Sequence, residues 1–196
     1  MIRSLLIAFC LAAAPISAMA QVTSQRIVEA DGTSSLVHEV VVAAPRSEVW
    51  AAISTADGWR SWAAPVMWAD PVDAEVIEGS YDPAASPGQP QTIRQRILVR
   101  IPGRLIAWRT IKAPTGFPDF ETFSRVRSIF ELGEAGPGQT RVRLTMVGYA
   151  DTESGRRLLD FFDGGNSISL DRLRRRFVEG PLDWRQELSR QSRPSR

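Results

Sequence analysis

Regular alternation of apolar and polar side chains dominates the middle of this sequence and predicts β-strands. Residues 92–101 switch between aliphatic side chains and Thr, Arg or Gln, and a Pro-Gly turn separates them from an apolar segment at 105–112. The same alternation returns at residues 125–132 and 141–146. Because successive side chains of a strand point to opposite faces, these four segments predict antiparallel hairpins with one apolar and one solvated face.

Shorter elements are predicted ahead of these strands. Residues 36–43 are rich in β-branched side chains and stop at an Ala-Pro pair, which is typical of a first strand running into a turn. Residues 47–54 carry apolar side chains at helical spacing, and the segment 59–62 predicts a second short helical turn. Residues 68–79 predict a further strand, whereas 82–90 are so rich in Pro, Gly and Ser that they predict a loop.

A long helix is predicted from about residue 152 to residue 178. Asp151 is suited to cap its N terminus, and the four arginines between positions 172 and 176 favour the negative end of the helix dipole. Gly164 and Gly165 interrupt its middle. Because each glycine costs about 1 kcal/mol relative to alanine in a helix interior, the pair predicts a close neighbour or a bend.

These elements predict one domain at residues 36–178, since a chain of this length is suited to a single core. Residues 21–35 are expected to form an N-terminal lead-in. Residues 179–196 are expected to form a basic, flexible tail.

The first twenty residues have the pattern of a cleavable secretory signal peptide. Arg3 provides the positive start, residues 5–14 form an apolar run, and small residues end at Ala20. Ten apolar residues are too few to span a bilayer core, which needs about twenty. A lipid anchor at Cys10 is disfavoured by the bulky residue before it. We therefore expect cleavage before Gln21 and a secreted protein, periplasmic in a Gram-negative source.

Composition limits the chemistry of the remaining chain. The sequence has 24 basic and 22 acidic side chains, with one cysteine and one histidine. Loss of the signal peptide would remove Cys10 and with it any thiol chemistry. A net charge close to zero gives no general attraction to nucleic acid, so no nucleic-acid partner is expected. His38 is expected at an exposed or edge position, and the shortage of His and Cys predicts neither a metal site nor a cofactor.

The order of a strand, two short helices, antiparallel strands and one long helix resembles the helix-grip fold of the SRPBCC superfamily. This superfamily includes START lipid-transfer domains, polyketide cyclases and the birch pollen allergen. Residues 38–62, HEVVVAAPRSEVWAAISTADGWRSW, and residues 161–177, FFDGGNSISLDRLRRRF, resemble the two ends of its branch of activators of the heat-shock-protein-90 ATPase. The resemblance implies an α+β fold, with a curved antiparallel sheet wrapped around a long C-terminal helix.

In that fold a cavity lies between the long helix and the concave face of the sheet, and the alternation assigns side chains to it. Gly165 and Asn166 are expected to leave space and a polar group there. Such an apolar cavity with few polar groups is typical of small-molecule sites. We therefore expect an exported domain that binds a hydrophobic or amphipathic small molecule. The predicted cavity residues are Trp62, Trp68, Ile97, Val99, Val126, Phe130, Leu144, Met146, Phe162, Gly165, Asn166 and Ser169.

Two other functions stay open at this point. An enzyme of cyclase-like or hydrolytic type, acting on a small apolar substrate, would need paired titratable groups. No nucleophile motif is present, so catalytic residues are unassigned and a binding protein is favoured. A protein-interaction module is the third hypothesis, and the oligomeric state is unknown. The acids that are candidates for a catalytic pair are Asp119, Glu121, Asp160 and Asp163.

Arginines cluster on the predicted solvent face of the sheet. The simpler interpretation is a solubilising surface that also prevents edge-to-edge pairing. The alternative is weak contact with an anionic membrane surface. The residues of this arginine face are Arg94, Arg96, Arg100, Arg125, Arg127, Arg141 and Arg143.

Overall fold

The computed structural model describes residues 21–191, so the predicted signal peptide lies outside the described residues. Eight strands form one antiparallel sheet in the order β1-β2-β8-β7-β6-β5-β4-β3. The strands are β1 (Thr23–Val28), β2 (Ser34–Val42), β3 (Val66–Ala69), β4 (Val76–Ser80), β5 (Ile93–Ile101), β6 (Leu105–Lys112), β7 (Arg127–Gly136) and β8 (Gln139–Tyr149). The helices are α1 (Arg46–Ser54), α2 (Ala56–Arg60), α3 (Phe120–Phe123), α4 (Glu153–Glu179) and α5 (Trp184–Gln191).

The predicted α+β helix-grip fold is confirmed. The sheet is curved and unclosed, and α4 packs along β2 and β8 on its concave face. Alternation drives this arrangement, because Val142 and Leu144 of β8 are buried while Arg141 and Arg143, which alternate with them, are exposed. The buried side chains fill the space between sheet and helices, which stabilises both layers together.

The segment predicted as one strand at 68–79 forms two strands, β3 and β4, joined by a tight turn. Asp70 makes this turn, because its carboxylate accepts hydrogen bonds from the backbone N–H groups of Val72 and Asp73 at 2.9 and 3.0 Å. Aspartate favours such turns by replacing a backbone acceptor. The predicted loop at 82–90 contains no helix or strand.

The predicted lead-in at 21–35 differs from the structure, because it contains the edge strand β1. This strand pairs with β2 in antiparallel register from Thr23↔Glu39 to Val28↔Ser34. Its side chains are exposed on both faces, apart from the half-buried Ile27. A strand with two wet faces shows no apolar alternation, so its sequence gives no strand signal.

The C-terminal segment also differs from the predicted flexible tail over its described part. Helix α5 folds back onto the domain, where Trp184 Nε1 donates to the carbonyl of Arg60 at 2.6 Å. The backbone N–H of Leu182 donates to the carbonyl of Ser61 at 2.9 Å. Residues 181–191 therefore belong to the folded unit.

None of the helices within residues 21–191 combines the length and apolar character that a bilayer-spanning helix needs.

Candidate ligand-binding cavity

A cavity of about 400 Å³ opens between α4, the start of β5, the end of β6 and the segment around α3. Its apolar wall is formed by Ile93, Ala113, Pro114, Phe117, Phe123, Phe161 and Phe162. Gly165 leaves open space in the wall. The polar side chains that line the cavity are Tyr81, Gln95, Thr110, Asn166 and Ser169. Among the described residues that line this cavity, none carries a formally charged side chain.

Phenylalanine rings shape the mouth of the cavity. Phe123 stacks on Phe162 with ring centroids 4.6 Å apart, and Phe117 contacts both Phe123 and Phe161. Phe161 is 63% exposed at the rim. Phe117, Phe123 and Phe161 were not predicted to line the cavity, and Phe117 and Phe123 lie outside all the predicted strands and helices. Only the local density of phenylalanine between 117 and 123 hinted at them.

The polar groups of the cavity come from both layers. Gln95 and Thr110 face each other across β5 and β6. Asn166, which is 8% exposed, is held by a hydrogen bond of 3.2 Å from Nδ2 to the sulfur of Met146. The hydroxyl of Ser169 lies one helical turn further along α4. These uncharged groups can donate to and accept from a ligand, whereas the surrounding rings exclude water.

The glycine pair of α4 leaves open space beside the helix. A Cβ atom built at Gly164 or at Gly165 would meet no atom within 4 Å, so the predicted close neighbour is absent at both positions. Both glycines are exposed, but Gly165 lines the open cavity and Gly164 does not. A side chain larger than hydrogen at Gly165 would therefore extend into the cavity without displacing the backbone.

A second cavity of about 90 Å³ adjoins the first and shares Tyr81, Ile93 and Gln95 with it. Its far wall contains Trp59 and Met67. Although Tyr81 is 56% exposed as a residue, protein atoms crowd its hydroxyl and raise the pKa of this group. Tyr81 thus stands between the two spaces as a neutral hydroxyl at physiological pH.

The structure brings four of the predicted cavity residues to this site: Phe162, Gly165, Asn166 and Ser169. The others lie elsewhere. Six belong to the closely packed core, where an aromatic cluster fills the space expected to be open: Trp59 stacks on Trp62 at 4.9 Å and Trp108 on Phe130 at 5.4 Å. The six core residues are Trp62, Ile97, Val126, Phe130, Leu144 and Met146.

Val99 and Trp68 lie neither in the cavity wall nor in the core, for different reasons. A β-bulge interrupts β5, so that Ile97 pairs with Trp108 but Val99 pairs with Ala107. Because a bulge adds one residue to the strand, the alternation shifts and Val99 is 45% exposed. Trp68 alternates with Met67, and it is Met67 that lines the smaller cavity.

The four candidate acids are engaged in ion pairs and do not line the cavity. Glu121 pairs with Arg125 at 3.0 Å, and Asp160 pairs with Arg26 at 2.7 Å. Asp119 pairs with Arg157 at 3.1 Å, and this hydrogen bond lowers the pKa of the Asp119 carboxyl.

Asp163 belongs to a network with His38. Asp163 accepts hydrogen bonds from Ser24 and Arg26, which lower the pKa of its carboxyl. His38 is fully buried rather than exposed, and its Nε2 lies 3.0 Å from the Asp163 carbonyl oxygen. Within residues 21–191 no partner contacts its Nδ1. Burial lowers the pKa of His38 despite the nearby carboxylate, so the ring is neutral at pH 7.

Much of the positive charge of the arginine face is neutralised. Arg94 pairs with Asp70, Arg96 with Asp73 at 2.9 Å, and Arg143 with Glu39 at 3.1 Å. Arg100 and Arg125 also lie within 4.0 Å of glutamates. This pairing suits the simpler interpretation, a solvated sheet surface, and it gives no support to the alternative of weak contact with an anionic membrane surface. In the described part of the chain, no cluster of three or more His, Cys, Asp or Glu is placed to bind a metal ion.

A family model described as polyketide cyclase / dehydrase and lipid transport matches residues 33–178. A search among curated proteins found no match.

Several solved structures share this fold at low sequence identity. The Aha1 dimer of Colwellia psychrerythraea is 17% identical with a TM-score of 0.55, over 74% of this chain and 97% of that chain. CalU16 of Micromonospora echinospora is 18% identical with a TM-score of 0.55, over 88% of this chain and 93% of that chain. The di-domain ARO/CYC BexL of the BE-7585A biosynthetic pathway is 16% identical with a TM-score of 0.56, over 74% and 46%. These likenesses establish the fold alone.

Proposed function

Because the chain belongs to the polyketide cyclase/dehydrase and lipid transport family of the SRPBCC superfamily, we propose that it binds a hydrophobic or amphipathic small molecule between α4 and the sheet. The observation that carries this proposal is the cavity of about 400 Å³ beside Gly165. This volume lies within the range of roughly 300–1,000 Å³ that is typical of small-molecule sites. Its aromatic wall and uncharged polar groups match small-molecule sites.

Binding without turnover is the function that the cavity residues favour. A general acid or base must reach the reacting group within hydrogen-bonding distance. The candidate carboxylates are instead held outside the cavity by arginines. The groups that do line it, the amides of Gln95 and Asn166 and the hydroxyls of Thr110 and Ser169, position a ligand but do not titrate near neutral pH.

The glycine pair provides a direct test. Gly165→Leu places an isobutyl group in the cavity, whereas Gly164→Leu places the same group outside it. We expect Gly165→Leu to weaken binding of the fluorescent probe N-phenylnaphthylamine by at least about tenfold, equivalent to about 1.4 kcal/mol. Gly164→Leu is the matched control and should bind like the wild type. Equal binding by both variants in a fluorescence titration would contradict the proposal.

We also propose that the protein is exported, on the basis of the signal-peptide pattern in residues 1–20. The protein recovered from the cell envelope or medium should begin at Gln21 when its N terminus is sequenced. Ala20→Arg places a bulky charge where the signal peptidase needs a small residue, so it should block cleavage. A protein that stays in the cytosol with its first twenty residues intact would refute export while leaving the cavity proposal unaffected.

A further inference from the structure

An outer groove of about 350 Å³ lies next to the cavity, between α4 and the segment that connects β6 to β7. It shares Phe117 and Phe161 with the cavity, and the rings of these two residues meet edge to face with centroids 6.2 Å apart. The two rings therefore form the boundary between the groove and the cavity. The groove is lined by Phe117, Pro118, Asp119, Arg157, Leu158 and Phe161.

Residues 113–123, which we call the connecting segment, cover both spaces. They follow the last residue of β6 and form no part of the sheet. The segment contributes apolar side chains to the cavity wall, whose opposite side is formed by α4. Movement of the connecting segment away from α4 would therefore join the groove to the cavity.

Two polar contacts attach the connecting segment to the beginning of α4. Oδ2 of Asp119 accepts a hydrogen bond of 3.1 Å from Nη2 of Arg157, and the hydroxyl of Ser154 donates to that of Thr122 at 3.2 Å. The side chains of Asp119 and Arg157 are 24% and 58% exposed. Ion pairs that water reaches contribute little to stability, so this contact can break and re-form within the folded protein.

The backbone of Asp119 is held in a left-handed conformation, with φ 55° and ψ 33°. Within residues 21–191 it is the only residue other than glycine with a positive φ. Aspartate tolerates this conformation better than most residues do, but it remains less favourable than the right-handed conformation. Such outliers persist where surrounding contacts hold them, and Arg157 provides such a contact here. Loss of the Asp119–Arg157 pair would therefore free the segment to move away from α4.

We propose that the ligand enters the cavity through the outer groove, between the connecting segment and α4, and that the Asp119–Arg157 pair is the latch that holds this entrance closed. The latch controls how fast the ligand exchanges and not how tightly it is held, because neither side chain lines the cavity itself. This inference rests on the proposed ligand-binding function, and it assigns Asp119 and Arg157 a role in regulating access to that site.

Stopped-flow fluorescence with N-phenylnaphthylamine and the full chain tests the latch. Asp119→Asn removes the charge but keeps the size of the side chain and its tolerance of left-handed backbone, and Arg157→Gln removes the opposite charge. Each variant should raise the association and dissociation rate constants about three- to fivefold, which is the effect of losing an exposed ion pair. The dissociation constant should stay within about twofold, because the latch is lost equally from the free and the bound protein.

A disulfide at the second contact tests the entrance in the opposite direction. The hydroxyl oxygens of Thr122 and Ser154 are 3.2 Å apart, so Thr122→Cys combined with Ser154→Cys places two sulfurs within reach of each other. Cys10→Ser removes the native thiol. Oxidation should slow both association and dissociation about tenfold or more, and reduction should restore them. If the disulfide does not form, as judged by mass spectrometry, the two charge variants decide the question.

Glu121→Gln is the matched control, because it removes a carboxylate from the connecting segment that pairs with Arg125 and not with α4. It should leave both rate constants unchanged. Saturable binding with rate constants that neither the charge variants nor the disulfide alters would overturn the entrance and its latch alone. Failure of the wild type to bind the probe at the site that Gly165→Leu blocks would overturn the cavity function itself.

Discussion

His38 lies between β2 and α4, where its ring has no contact with solvent. Within residues 21–191 its Nε2 contacts the backbone carbonyl and the carboxylate of Asp163, and this carboxylate also accepts hydrogen bonds from Ser24 and Arg26 of β1. One buried imidazole therefore connects the first two strands to the middle of the long helix. From the sequence this histidine was expected at an edge, because a single polar residue in an apolar strand carries no sign of the helix above it.

The burial of His38 predicts a stability that depends on pH. Its pKa is lowered in the folded protein, so the unfolded chain binds the proton more tightly. The free energy of unfolding should therefore fall as the pH drops below about 6.5, by at most about 1.4 kcal/mol per pH unit, until the folded pKa is reached. Urea unfolding at pH 7.5 and 5.5 measures this change.

The matched control for this experiment is His38→Gln, whose amide cannot be protonated in this range. Because the chain has one histidine, the variant should lose most of the difference between the two pH values. Asp163 stays ionised at both values, since its own pKa is lowered. A variant that keeps the full wild-type pH dependence would show that another group is responsible.

At the scale of elements, α4 contains one glycine that is crowded by backbone atoms and another that has open space beside it. Near its start, a Cβ at Gly155 would lie 1.9 Å from the carbonyl oxygen of Ala150, because the helix meets the preceding turn there. In its middle, Gly164 has open space. The sequence pattern treats both positions alike, as residues that disfavour helix, and only the packing distinguishes them.

Alanine substitution should separate these two glycines. Gly164→Ala should raise the free energy of unfolding by up to about 1 kcal/mol, which is the difference in helix propensity. Gly155→Ala should lower the free energy of unfolding, since the backbone must move to admit the methyl group. Chemical denaturation of both variants under one set of conditions measures the contrast. Stabilisation by Gly155→Ala would show that the turn before α4 is not closely packed.

Strand β5 was correctly predicted as a strand, but its alternation assigned Val99 to the wrong face. The alternation from Ile93 onward correctly predicted the strand, and Ile97 is buried as expected. From the bulge before Val99 to the end of the strand, residues 98–101 are all exposed, so the alternation no longer marks a buried face. Bulges depend on the register with a neighbouring strand, so alternation in β5 alone does not reveal them.

For the whole molecule, the local pattern predicted most of the strands, α1, α2 and α4, and their order resembles the helix-grip fold, but it did not predict β1, α3 or α5. Periods of two and of 3.6 residues are properties of single segments, so the hairpins, the short helices and α4 could be recognised without tertiary contacts. The resemblance to the helix-grip fold supplied the expected cavity, and the helical period then assigned Gly165 and Asn166 to its wall. Export is likewise predicted from a local pattern, the signal-peptide pattern of residues 1–20, and stays a prediction.

Only the tertiary structure decided which part of the region between the sheet and α4 stays open as a cavity. Sequence alternation identifies an inward face, but it does not say which part of that face other side chains fill. The Trp and Phe cluster around Trp62 and Phe130 fills the deep part, and the open part lies near Phe117, Phe123 and Gly165. Segments exposed on both faces, such as β1, and the docking of α5 depend on contacts between residues far apart in sequence. Local periodicity carries no information about such contacts, so only the folded chain decides the position of the cavity.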